Sequence, residues 1–248
     1  MTEYTHIVSL GFFCSTASEL EKIGLRDASY PFDWLISDFK GVIECIQNDF
    51  QDFLKYDNLY QSKNNKNYYL DMKYNFQFFH DFSKHTDLSS QLPSVFGKYN
   101  RRIDRFKQNI LDPTLFLRYI ENQKELDYIE QNYKDIVSLL KSKNSLNDII
   151  FISNDNIKSD LINIYGVKKD ENDSVARNFL EKNERLKQFL CSSIYDENKR
   201  MANIKRSELS QNRKRKSKHI NIFKRKLNNL LKKTYTHNHV VDRNDIEP

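Results

Sequence analysis

The sequence predicts an α/β fold, a mostly parallel sheet with flanking helices, followed by a C-terminal basic helix. Three observations carry that expectation. The first is a strand–helix–strand signal. "TLFLRY", residues 114–119, is a short apolar run, and Leu126, Ile129, Tyr133, Ile136, Val137 and Leu140 then recur at helical spacing. "DIIFIS", residues 148–153, is a second apolar run. Two buried strands joined by an amphipathic helix pair in parallel with a right-handed crossover. The second is an N-terminal strand, turn and helix in "HIVSLGFFCSTASELEKIG", residues 6–24. The third is a change of character near residue 195, which divides the chain into an α/β domain of residues 1–195 and a basic tail of residues 196–248.

Taken in order, "HIVSL" reads as the first strand and Gly11 breaks it. Thr16 and Glu19 have the spacing of a capping box, and Ala17, Leu20 and Ile23 continue a helix that Gly24 ends. "SYPFDWL", residues 29–35, is a rigid aromatic connector, because Pro31 fixes its own φ and pushes Tyr30 toward extended geometry. Phe39, Val42, Ile43, Ile46, Phe50, Phe53 and Leu54 form one stripe at helical spacing. Residues 57–67 are a polar loop. In "YNFQFFHDF", residues 74–82, alternate positions would share one face of a strand. A helix is expected from about Ser94 to Leu111, with Arg101, Arg102 and Arg105 off its apolar stripe, and Asp112-Pro113 stops it. Residues 161–166 fit a strand or a helical turn. Residues 174–195 read as helical.

Composition narrows the class. The chain has 248 residues, 38% hydrophobic and 30% charged, enough for one sizeable core. No run of 18 apolar residues is present, so no transmembrane helix is expected. Met1-Thr2-Glu3 lacks the layout of a signal peptide, and a cytoplasmic location is the expectation. The cysteines, Cys14, Cys45 and Cys191, are three, far apart and without a CxxC pair, which argues against a disulfide framework or a structural metal site. No cofactor motif is present: there is neither GxGxxG nor a P-loop. The net charge of +6 belongs to the tail, since residues 213–233 hold ten Lys or Arg and no acid while residues 1–212 are near neutral.

Cys14 stands where the first strand turns into a helix, the position at which a thiol can be either a nucleophile or a small buried hydrophobe. A helix N-terminus offers unpaired amides and the positive end of a dipole, which lower a thiol pKa and can stabilise an oxyanion. Ligands of open α/β sheets gather at the carboxyl ends of strands, so Gly11, Phe13 and Ser15 become candidate substrate-binding positions around Cys14. Cys45 lies on the flank of an apolar stripe and reads as packing. A thiol nucleophile needs a base. His6 begins a strand, and His219, His237 and His239 lie in the tail, leaving His80 and His85. His80 is the candidate, against the alternative of a satisfied core histidine. Asp33 and Asp81 are candidate third members, Asp33 being equally suited to capping a turn.

Together, "VSLGFFCSTASELEKIGLRDASYPFDWL", "FFHDF", "YNRRIDRF" and "LFLRY" resemble a bacterial family, a domain of unknown function that carries the label of a papain-like cysteine peptidase. The resemblance covers roughly residues 5–155 and is most specific in its first block, where SLGxxC and SYPFDW occur together. It implies a Cys-then-His dyad, matched here by Cys14 and His80, acting on a peptide or acyl substrate. The third member has no secure match. One departure stands out: papain-like enzymes place the nucleophile on a helix without a leading central strand, whereas here a strand runs directly into the Cys14 turn.

The rival reading is a glycan- or nucleotide-sugar-handling enzyme that binds a phosphorylated ligand at the strand ends through Arg118, Asn154 and Asp155. Its alternative is that Arg118 pairs with a carboxylate across the sheet. A third reading is a non-enzymatic adaptor. Residues 213–233, with a narrow apolar edge at Ile220, Phe223, Leu227, Leu230 and Leu231, suit an anionic membrane surface or a partner protein. Nucleic acid is disfavoured because no recognition motif accompanies the charge.

Overall fold

The computed structural model describes residues 3–63, 68–154, 156–168, 177–194, 196–214 and 218. The chain divides into two compact units, Met1–Ile204 and Lys205–Pro248. In the first, the elements run β1 (His6–Ser9), α1 (Cys14–Lys22), β2 (Leu35–Ser37), α2 (Phe39–Gln47), β3 (Leu59–Gln61), β4 (Tyr69–Asp71), β5 (Phe76–Phe78), α3 (Leu88–Asn109), β6 (Thr114–Tyr119), α4 (Gln123–Lys141), β7 (Asp148–Asn154), β8 (Ile164–Val167), α5 (Phe179–Lys182) and α6 (Glu184–Ser192). In the second unit, residues 205–214 are helical. Most of the basic segment expected to meet a membrane or partner lies outside the described residues. Among the described residues no helix is long and apolar enough to cross a membrane.

The expected α/β architecture is present. β1, β6, β7 and β8 form a four-stranded parallel sheet in that order, and Ile7 pairs with Leu115, Leu117 with Ile150, and Ile152 with Tyr165. All six residues of β6 are buried, as a parallel strand covered on both faces requires. Period-2 alternation divides its side chains. Leu115, Leu117 and Tyr119 join α1, α5 and α6 in one core, while Phe116 and Ile120 join α2, α3 and α4 in the other. Segment 161–166, ambiguous in sequence, supplies the edge strand β8.

A second sheet was not expected. β2, β5, β4 and β3 form an antiparallel sheet of three-residue strands. It carries much of the aromatic core: Phe32, Phe50, Phe53, Phe76, Phe78 and Phe106 meet largely edge-to-face at 5.6–6.1 Å. Two boundaries differ from the sequence expectation. α2 stops at Gln47, and Asp49, Phe50, Asp52 and Leu54 have positive φ, so the end of the expected stripe packs from tight turns rather than from a helix. α3 starts at Leu88, six residues earlier than expected, with Pro93 inside it.

Candidate functional site

The Cys14 turn is held between the two sheets. Leu10 N donates to Leu117 O at 2.8 Å and Tyr119 N to Gly11 O at 3.3 Å, so the chain leaving β1 stays zipped to β6. Ser37 N, at the end of β2, donates to Phe12 O at 3.0 Å. Gly11 has φ of +84°, and a Cβ there would lie 2.3 Å from Ser37 Oγ and 3.1 Å from Arg118 Nη1. Only glycine fits this crossing. α1 then begins at Cys14 itself, two residues before the expected capping box. Its N-cap is Phe13, which supplies no side-chain acceptor. Glu19 does not cap: Oε1 takes Lys22 Nζ at 2.6 Å and Oε2 accepts from Leu180 N at 3.3 Å. The Thr16 hydroxyl is buried without a hydrogen-bond partner among the described residues.

Cys14 is half-buried, as are Phe13 and Ser15 beside it. The sequence led to a thiol lowered by the helix terminus. Burial instead pushes the Cys14 thiol above its ordinary value, and its own backbone amide and the charge of Arg177 offset that only in part. A short helix's dipole is outweighed here by loss of hydration. Cys45 is buried in the aromatic core and pushed far up by desolvation, as packing implies.

Among the described residues no hydrogen bond joins Cys14 to His80. His80 is exposed, sits in a bend past the end of β5, and its ring lies 6.4 Å from that of Phe79. Topology explains the separation. Ser37, which touches the Cys14 turn, pairs with Phe76. β5 then runs antiparallel to β2, so Phe78 lies opposite Leu35 and His80 lies farther still from that turn. The two candidate third members are structural. Asp33 is buried and accepts from Arg26 Nε at 3.1 Å, Arg26 Nη2 at 2.7 Å and Tyr30 N at 2.9 Å, closing the SYPFDW loop. Burial pushes its carboxyl up and the Arg26 guanidinium pulls it back. Asp81 pairs with Lys98 and accepts from Tyr99 Oη at 3.0 Å, fastening the chain after β5 to α3.

Arg118 is fully buried, and its donors are committed: Nε to Glu125 Oε1 at 2.6 Å, Nη1 to Leu10 O at 2.9 Å and Ser37 Oγ at 2.8 Å, Nη2 to Ser37 O at 2.6 Å. Its guanidinium lies 5.0 Å from the centre of the Phe39 ring. The fork expected to hold a phosphorylated ligand is thus a fastener between the sheets and α4. Asn154 closes β7 with a turn, its Oδ1 accepting from Asn156 N at 3.0 Å. Asp155 lies outside the described residues.

A cleft of about 490 Å³ opens where β6 ends and the second sheet begins. Phe12, Ser37, Asn75, Gln77, Glu121 and Asn122 are among its lining residues. Cys14 is not among its lining residues. Glu121 and Asn122 follow the carboxyl end of "TLFLRY", where ligand positions of an α/β sheet are sought, and that signal could have found them. Gln77 comes from the three-residue strand β5 and Asn75 from the turn before it, and neither carries such a signal.

The family model described as "Putative papain-like cysteine peptidase (DUF1796)" matches residues 5–156, which span the Cys14 turn, the second sheet, β6, α4 and β7. The chain belongs to this family. It is also 30% identical over 185 residues to an uncharacterized protein of Acanthamoeba polyphaga mimivirus, a match covering 64% of this chain and 82% of the viral one. That relative is viral, so the bacterial restriction expected from the sequence does not carry over. No solved structure matches the chain.

Proposed function

We propose that the protein is a thiol-dependent hydrolase or acyl-transfer enzyme in which Cys14 is the nucleophile. One observation carries the reading beside family membership: Cys14 is the first residue of α1, directly after the β1 turn, half-buried rather than sealed, with no side chain capping the amides around it. The Cys14 thiolate attacks a carbonyl carbon of a peptide or acyl substrate. An S–C bond forms, and the carbonyl electrons move onto oxygen, which the amides of residues 14–17 stabilise. Collapse expels the leaving group, which takes a proton, and water or a second acceptor then cleaves the thioester. Because burial holds the thiol protonated to higher pH, the rate rises as the Cys14 thiolate forms.

The experiment is acyl trapping. The protein is mixed with p-nitrophenyl acetate at pH 9, quenched, and mapped by mass spectrometry. Acetyl on Cys14, with the nitrophenol burst lost in Cys14→Ala, supports the reading. An undiminished burst in Cys14→Ala overturns it.

A further inference from the structure

We infer that the cleft between the end of β6 and the second sheet binds a neutral, polyhydroxylated ligand of the oligosaccharide class. The inference stands apart from Cys14 chemistry, because Cys14 does not line the cleft. Its volume, about 490 Å³, is that of a ligand site.

The lining groups decide the chemistry. Gln77 and Asn75 make no side-chain hydrogen bond to another protein group among the described residues, and the same holds for the Tyr128 hydroxyl and Lys124. Each faces the cleft with its capacity unspent. Carboxamides both donate and accept, and the carboxylate oxygens that Asp38 and Glu121 keep beyond their bonds from Gly41 N and Asn122 Nδ2 accept, which is the complement of hydroxyls that also do both. The lining holds both signs, Asp38 and Glu121 with Lys40 and Lys124, though Lys40 also approaches Glu44 at 3.8 Å and Glu125 is spent on Arg118. The guanidinium that would grip a phosphate is turned away, committed to Ser37, Leu10 and Glu125. Apolar lining is confined to Phe12, Ile36 and the Tyr128 ring, too little for an acyl chain but enough to meet the C–H face of a sugar. No group of three His, Cys, Asp or Glu among the described residues is placed to hold a metal ion.

The test is a printed array of neutral, sulfated and phosphorylated oligosaccharides probed with the full chain, then with Gln77→Ala, Asn75→Gly and Lys124→Met. Glycine is chosen at residue 75 because its φ of +55° disfavours alanine. The expected result is binding of neutral oligosaccharides, weakened about fivefold or more by Gln77→Ala and by Asn75→Gly. Side-chain amide shifts of Gln77 and Asn75 in the wild-type protein, followed by NMR on adding the bound sugar, provide a readout independent of any variant's folding. Absence of array binding overturns the inference. So does binding confined to phosphorylated or sulfated glycans and lost in Lys124→Met, or neutral binding that leaves the two amides unmoved.

Discussion

Arg118 and Ser37 are joined twice, Nη1 to the hydroxyl at 2.8 Å and Nη2 to the main-chain carbonyl at 2.6 Å, so one guanidinium ties the parallel sheet to the antiparallel one. Removing it leaves the Glu125 carboxylate and two carbonyls without their partner in a dry setting. Arg118→Met is expected to lose about 3–5 kcal/mol of stability in urea unfolding. Arg118→Lys should lose most of that as well, since an ammonium cannot reproduce the planar fork. A lysine variant of undiminished stability would return Arg118 to the ligand-binding role.

Gly11 sits against the same pair. Gly11→Ala places a methyl 2.3 Å from Ser37 Oγ at a φ of +84°, and about 2–4 kcal/mol of destabilisation is expected from crowding and backbone strain together. Ser37→Ala removes the nearest atom. The double variant should therefore be more stable than the sum of the two single losses, a coupling measurable in a thermodynamic cycle.

His80 gives a direct comparison of catalytic schemes. Exposed and without contact to Cys14, it is expected to be replaceable: His80→Ala should keep acyl transfer to Cys14 within about twofold. A positioned base contributes about 10²–10⁴-fold, so a loss of that size would restore the dyad. Alkylation of Cys14 by iodoacetamide should rise through and above the ordinary thiol value of 9.0, because burial favours the protonated sulfur. A plateau reached below pH 8 would contradict the environment described.

At the opposite end of β1, His6 Nδ1 and Asp27 Oδ2 lie 2.6 Å apart, Tyr30 Oη donates to Asp27 Oδ1 at 2.7 Å, and Lys199 approaches at 3.4 Å. These partners hold the Asp27 carboxyl below its ordinary value of 3.8 against the opposing effect of burial. A carboxyl lowered on folding contributes stability that is present above the unfolded value and disappears as pH falls through the folded one. Asp27→Asn should therefore cost about 1–3 kcal/mol at pH 7. The gap from wild type should close as pH drops below about 4. A gap that persists unchanged at pH 2 would refute the assignment.

The legibility of this chain followed element length. β6, α4 and β7 were readable because a continuous apolar run and a 19-residue periodic helix repeat their signal many times. Alternation in 74–82 did mark the strand that contains β5, but the three-residue strands β2, β3 and β4 show barely one period. Phe50 and Leu54 fell on helical spacing yet occupy positive-φ turns, which spacing alone does not reveal. The placement of Cys14 at the strand–helix junction was readable. The fate of His80 was not, because it depends on β5 running away from the Ser37 end, a fact of pairing rather than of composition. Arg118 misled for a related reason: an arginine in a strand reads as an available cation until its four protein acceptors are known.

Among the described residues β1 pairs in the parallel sheet with β6 alone, whose residues lie 108 positions later in the chain. At ordinary ribosomal speeds that interval takes on the order of 5–20 s. β1 thus spends many seconds without the strand it is meant to join, its Ile7 and Val8 side chains open to mispairing or chaperone capture. Truncated chains that end before Thr114 inherit that exposure permanently, and insoluble expression is the expected fate of such fragments.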